Sequence, residues 1–145
     1  MDRWEHLRTL AAGDGGLATA VVVDGDGHPH ATTVTAGLFD HPVSGEATVA
    51  FVVAGGARKL ALLRDRPWAS VTFRVGWDWI SADGPVDLVG PDDPLAGVDD
   101  LPALLRAVFV SAGGTHDDWD AYDRVMAEER RTVILVRPAR LLANG

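Results

Sequence analysis

The chain contains no cysteine. Disulfides, zinc–thiolate sites, iron–sulfur clusters and cysteine nucleophiles are therefore excluded. Basic charge is also scarce. Thirteen Lys and Arg residues stand against 21 Asp and Glu, for a net charge of −8 and a pI of about 4.9. Such a balance opposes a general nucleic-acid or anionic-membrane binder, which needs a basic surface. Of the basic residues, only Lys59 is a lysine. Serine is sparse as well: Ser44, Ser70, Ser81 and Ser111, none beside an obvious base. Gly-x-Ser-x-Gly, a full P-loop, His-Glu-x-x-His and a Gly-x-Gly-x-x-Gly after a strand are all missing. Hydrolysis by a side-chain nucleophile thus has little support, and a bound cofactor is the expected carrier of any reaction. No apolar run reaches the ~18–20 residues of a membrane span. Residues 1–9 carry Asp2, Arg3, Glu5 and Arg8 with no apolar core, so no signal peptide is read and the cytoplasm is the expected location.

What is present is a globular composition. The 145 residues, 47% hydrophobic and 23% charged, fit a single domain over 1–145. Trp4, Leu7, Leu10 and Ala11 mark a helix over 3–12, with Asp2 as its N-cap. A β-branched run from Leu17 to Val23, the turn Asp24-Gly25-Asp26-Gly27 and a strand from His30 to about Gly37 read as a hairpin. Residues 38–45 read as a loop and Ala47–Ala54 as a third strand. A short helix follows at 57–64 and stops before Pro67. Two strands, Ala69–Val75 and Trp77–Val89, come next, the second kinked at Asp83-Gly84-Pro85. Residues 90–100 read as an exposed loop. Leu101, Leu104, Leu105, Val108 and Phe109 form one helix face. Trp119, Tyr122, Val125 and Met126 form another within 117–129, and a buried strand spans Thr132–Val136. The expectation is a mainly β, antiparallel sheet of about six strands, closed into a small barrel with flanking helices.

Gly55-Gly56-Ala57-Arg58-Lys59 is the sharpest local feature. Glycines that admit close backbone approach, a helix N-terminus and two full positive charges together suit a phosphate. The competing reading is a glycine loop followed by two solvated bases. His28 and His30 lie two apart, but no third metal ligand is evident nearby, which favours a solvated turn. Asp117, Asp118, Asp120 and Asp123 lack the EF-hand pattern and are better explained as helix N-terminal charge. Glu128-Glu129-Arg130-Arg131 reads as a solvated helix end with Arg ion pairs. Trp77 and Trp79, two apart on a strand, read as core or interface before a ring-binding wall. The threonines of Thr32-Thr33-Val34-Thr35 either line a wet pocket or sit on an exposed face.

Several segments taken together resemble a known family. They are Gly16-Leu17-Ala18-Thr19, Asp26-Gly27-His28-Pro29-His30, Arg58-Lys59 through Leu63-Arg64 to Pro67-Trp68-Ala69-Ser70, Gly76-Trp77-Asp78-Trp79 and Ala82-Asp83-Gly84. The most specific is Ala112-Gly113-Gly114-Thr115-His116-Asp117-Asp118-Trp119-Asp120-Ala121-Tyr122, followed by Met126 and Glu129-Arg130-Arg131. Across nearly its whole length the chain resembles the pyridoxamine 5′-phosphate oxidase-like split β-barrel flavoproteins. The nearest branch is the small reductases that use the deazaflavin coenzyme F420.

The resemblance implies a homodimer with cofactor sites at the subunit interface and no dedicated acid–base residue. It implies a ring site against Thr33, Val34 and Thr35 on one strand and Val52, Val53 and Ala54 on the other. The phosphate-bearing tail would go to Arg58, Lys59, Leu60 and Arg64, and the partner subunit would cover the ring with the strand carrying Trp77 and Trp79. The implied activity is reduction of a small unsaturated molecule by hydride transfer from F420. FMN in the same fold, as oxidoreductase or FMN-binding protein, is the alternative, and a non-catalytic dimeric cofactor-binding module is the second. The chain departs from the family at the basic helix. Lys59 and Arg64 match, but two usual arginines are Ala57 and Ala61, and a usual Asn is Leu62. The 40–45 loop reads as longer than usual and placed beside the pocket.

Overall fold

The computed structural model describes residues 2–144. Helix α1 (Arg3–Ala11) starts where Asp2 accepts the Glu5 amide at 2.9 Å, satisfying one orphan N–H of the first turn. It buries Leu7, Leu10 and Ala11. Strand β1 (Leu17–Val23) pairs antiparallel with β2 (Pro29–Asp40). Their turn is closed by Asp24, whose Oδ1 accepts the amides of Asp26 and His28, both at 2.9 Å. The His28 region is an exposed turn that gathers side-chain oxygen and nitrogen atoms of Asp24, Asp26 and His28 within 4.8 Å of one another, a grouping the sequence reading did not foresee.

Strand β2 runs three residues past the expected Gly37. Leu38, Phe39 and Asp40 pair with Val49, Thr48 and Ala47 of β3 (Ala47–Val53). The expected 38–45 loop therefore shrinks to 41–46. His41 takes the place of a Gly–Asn turn signal: its Nδ1 accepts the amides of Val43 and Ser44, and its Nε2 meets Asp87 at 2.8 Å. Helix α2 (Arg58–Asp65) turns Leu60, Leu62 and Leu63 into the same core as Phe51, Phe73 and Ile80.

Strands β4 (Trp68–Val75) and β5 (Asp78–Val89) form the next hairpin. Gly76 supplies the left-handed turn at φ 60°, so Trp77 lies in the turn and not on the strand. The two tryptophans therefore do not share a strand face. Helices α3 (Leu101–Ser111) and α4 (Trp119–Glu128) follow, capped by Asp100 and Asp118. Strand β6 (Thr132–Val136) is buried along its whole length, as its unbroken apolar run predicts. A further strand, β7 (Arg140–Ala143), adds to β5 outside the barrel.

Ring closure follows from the pairings. The order β4-β1-β2-β3-β6-β5 returns to β4, so six antiparallel strands close and β7 lies outside. The two 12-residue strands serve both halves of the ring. β2 pairs with β1 up to Thr35 and with β3 from Ala36. β5 pairs with β4 up to Pro85 and with β6 from Val86. The expected kink at Asp83-Gly84-Pro85 is this change of partner. Outside the barrel, α3 and α4 lay Leu104, Leu105, Val108 and Tyr122 against Ala50, Val133 and Leu135.

Candidate functional site

The cavity of interest lies where two strands part. The β2–β3 ladder ends at Ala36↔Phe51. Beyond it, Thr33–Thr35 stay with β1, while Val52 and Val53 go with β6. Each strand keeps a partner on one side only, so backbone N–H and C=O groups face one another across the split. Such an edge offers hydrogen bonds to the rim of a planar heterocycle without any specialised side chain. The threonines Thr33 and Thr35 point outward from the barrel.

Helices close the far side. Val108, Phe109 and Ala112 of the α3 end, and Tyr122 and Met126 of α4, complete a cavity of about 520 Å³ with Thr33, Val34, Thr35, Val52, Val53, Ala54, Ala57, Lys59 and Arg131. That volume suits a cofactor ring system or a small substrate. The aromatic wall is itself braced. Phe109 packs on Tyr122 with centroids 5.0 Å apart, Trp119 meets Tyr122 at 5.3 Å, and His116 meets Tyr122 at 5.6 Å. Tyr122 donates its hydroxyl hydrogen to the Leu105 carbonyl at 3.2 Å, tying α4 to α3. Burial pushes the Tyr122 phenol above its ordinary value, partly opposed by the charge of Arg131.

One end of the cavity is cationic. Burial, and then the neighbouring Arg131 guanidinium, hold the Lys59 ammonium below the usual lysine range. Among the described residues Lys59 has no carboxylate partner, whereas Arg64, Arg106, Arg130 and Arg140 are each paired with an aspartate. Among the described residues the amides of Arg58 and Lys59 also find no acceptor, and Ala57 caps α2 with no side-chain bond. In a chain of net charge −8, this corner of the cavity carries positive charge that no aspartate neutralises among the described residues.

The expected site residues divide accordingly. Thr33, Val34, Thr35, Val52, Val53, Ala54 and Lys59 come together. Arg58 is exposed at the first position of α2 and does not line the cavity. Leu60 is fully buried in the barrel core, and its amide donates to the Ala57 carbonyl at 3.1 Å. Arg64 is turned away to a bidentate pair with Asp93, closest at 2.7 Å. Trp77 is 94% exposed at the β4–β5 turn, and Trp79 is partly buried beside it; neither lines this chain's cavity. The 41–46 loop sits at the opposite end of the β2–β3 ladder, so it does not border the cavity.

The Arg64 pairing yields a prediction. Arg64→Ala should change the affinity for a phosphorylated ligand less than twofold, because its charge is already neutralised by Asp93. Isothermal titration of the variant beside the parent decides this, and a tenfold loss would place Arg64 in the binding site.

Sequence reasoning missed Val108, Phe109, Ala112, Tyr122, Met126 and Arg131 as site residues. A signal existed for four of them. Ala112, Tyr122, Met126 and Arg131 belong to, or directly follow, the most specific segment of the resemblance.

Comparison with solved structures agrees with this architecture. An F420 reductase shares 18% identity at TM-score 0.59, over 87% of this chain and 88% of that one. A proposed pyridoxamine 5′-phosphate oxidase from Listeria innocua shares 14% at TM-score 0.59, over 97% and 96%. A heme-binding protein from Mycobacterium smegmatis shares 18% at TM-score 0.66, over 99% of this chain and 58% of the other. The fold is the pyridoxamine 5′-phosphate oxidase-like split β-barrel. No family model matches the chain. Identities this low establish the fold, and within that split barrel the neighbours include an F420 reductase, a heme-binding protein and a heme storage protein. Among the described residues no helix is long and apolar enough to cross a membrane.

Proposed function

We propose that the protein is an oxidoreductase of the pyridoxamine 5′-phosphate oxidase-like family that binds F420 and reduces a small unsaturated organic molecule by hydride transfer. The observation that carries the reading is the split between β2 and β3, edged by unpaired backbone and ending at Lys59 and Arg131. The donor set fits the cofactor's chemistry: a flat ring with polar rim atoms against Thr33–Thr35 and Val52–Ala54, and an anionic tail at Lys59 and the open amides of α2. When bound, F420 supplies the hydride. The chain's own residues orient the ring, and Val108, Phe109, Tyr122 and Met126 exclude water from one side of it. A second copy of the chain is proposed to complete the site, bringing the exposed Trp77 and its neighbour Trp79 over the ring.

FMN in the same cleft is the second reading. Lys59, whose protonation is disfavoured by burial and then by the nearby Arg131 charge, and Arg131 itself suit a phosphate monoester as well as a diester.

Titration separates the readings. Reduced and oxidised F420 and FMN are added to the protein, and binding is followed by fluorescence and calorimetry. The leading reading expects F420 to bind in the micromolar range and more tightly than FMN. The reverse order favours FMN. No binding of either at tens of micromolar overturns both.

A further inference from the structure

The cationic corner holds a second residue that the basic helix alone does not supply. Arg131 lies in the connection from α4 to β6 and lines the cavity together with Lys59 of α2. Its place is fixed by the end of α4. The Arg131 amide donates to the Met126 carbonyl at 2.9 Å and the Arg130 amide to that of Ala127 at 3.2 Å, with Arg130 left-handed at φ 50°. This is a Schellman ending with arginine where glycine is usual. The turn is locked to the α2 side by Gly55. The Gly55 amide donates to the Glu129 carbonyl at 2.9 Å, and a Cβ on Gly55 would lie 2.7 Å from Arg130 Cβ and 2.8 Å from its carbonyl oxygen. Gly55 therefore does not leave room for a phosphate. It lets two cation-bearing loops touch, and so places Lys59 and Arg131 at one end of one cavity.

Two positive side chains held together in a partly buried site repel each other unless something negative lies between or beside them. Arg131 has one partial neutraliser, Glu129, whose carboxylate accepts from Nε at 2.8 Å. Among the described residues its terminal guanidinium nitrogens have no acceptor. Among the same residues, neither a hydrogen-bond acceptor nor a carboxylate partner is found for the Lys59 ammonium. Arginine offers a planar fork matched to phosphate oxygens, and lysine a point charge.

We propose that Lys59 and Arg131 form a two-sided clamp for a phosphate group, and that Glu129 occupies Arg131 as an internal competitor until the phosphate arrives. Naming that phosphate as the cofactor's rests on the proposed function; the clamp itself does not. Glu129 therefore sets the affinity without touching the ligand.

The test uses the full-length protein with two kinds of probe. The first is matched pairs, FMN against riboflavin and F420 against its dephosphorylated ring alcohol. The second is inorganic pyrophosphate, followed by shift in melting temperature. Arg131→Gln should cut the preference for the phosphorylated member at least tenfold and abolish the pyrophosphate shift. Arg131→Lys, which keeps the charge and loses the fork, should fall between. Glu129→Gln should tighten pyrophosphate about threefold, and Arg131→Gln in the same chain should erase that gain, which a purely structural Arg131 would not do. If neither cofactor binds but pyrophosphate stabilises the parent through Arg131, the cofactor reading falls and the clamp stands. If Arg131→Gln folds and changes both readouts less than twofold, the clamp is wrong. If Arg131→Gln does not fold, the decision passes to Arg131→Lys and Glu129→Gln, and no change in either overturns it.

Discussion

Gly84→Ala should destabilise the protein by at least about 3 kcal/mol, the upper part of the range for overpacking a filled site. A Cβ at this position would lie 1.9 Å from the Arg137 carbonyl oxygen, 2.8 Å from the Ala139 nitrogen and 2.9 Å from the Arg137 carbonyl carbon. All three are backbone atoms, so no side chain can swing away. Nor can the neighbouring segment drift. Ala139 donates to the Asp83 carbonyl at 2.8 Å and Arg137 to the Pro85 carbonyl at 2.9 Å, while Arg140 holds the buried Asp83 at 2.8 Å. Gly84 sits where β5 leaves β4 for β6, so a shift there opens the barrel at a corner. For a chain of this size the expected fall in melting temperature is about 6–12 °C. Gly25→Ala is the control, because no atom lies within 4 Å of a Cβ there. Thermal or urea unfolding of the two variants decides the matter; equal stabilities would show that the corner relaxes without cost.

The same corner shows why parts of this fold were legible in the sequence. Asp83-Gly84-Pro85 interrupts an apolar run with a residue lacking a side chain and one lacking an N–H, and both exceptions are local. Strands β1, β3 and β6 and helix α3 announced themselves through β-branched runs or helical spacing. Strand β7 did not, since four residues with only alternate burial carry almost no periodic signal. The extension of β2 was hidden because its turn is made by the His41 side chain, a contact with Asp87 far along the chain. Trp77 misled through spacing alone: a two-residue interval places side chains together only if both residues are on the strand, and Gly76 puts the first in a turn. The site is harder still. Its walls come from β2, β3, α2, α3, α4 and the α4–β6 connection, and no periodicity links Thr33 to Val108 or Lys59 to Arg131. The strand residues were reached through resemblance; Arg131 lay within the resembling segments, but only the folded chain brings it to the cavity.

Lys59→Ala should weaken binding of the phosphorylated cofactor at least tenfold, about 1.4 kcal/mol, while leaving its dephosphorylated ring nearly unchanged. The sole lysine of the chain has no carboxylate partner among the described residues, so its charge is available to a ligand, unlike that of Arg64. Loss of affinity should come without loss of stability. Burial and Arg131 lower the Lys59 pKa in the folded protein, so the folded state binds its proton less well than the unfolded state does. Charged Lys59 therefore opposes folding below its folded pKa. That penalty is relieved as pH rises from the folded value towards the ordinary lysine value, and stability climbs across this window. Anion binding has the opposite sign. A phosphate favours the charged form, so affinity is full below the folded pKa and declines as pH rises through it. Two curves from one group should thus cross: stability rising and affinity falling over the same alkaline interval. Lys59→Ala should flatten both, with a melting temperature at neutral pH equal to or above the parent's. Calorimetric titrations and melts between pH 7 and the alkaline limit of the fold provide the measurement. A variant that loses affinity and stability together would make Lys59 a structural residue, and an affinity that ignores pH would remove the phosphate from this corner.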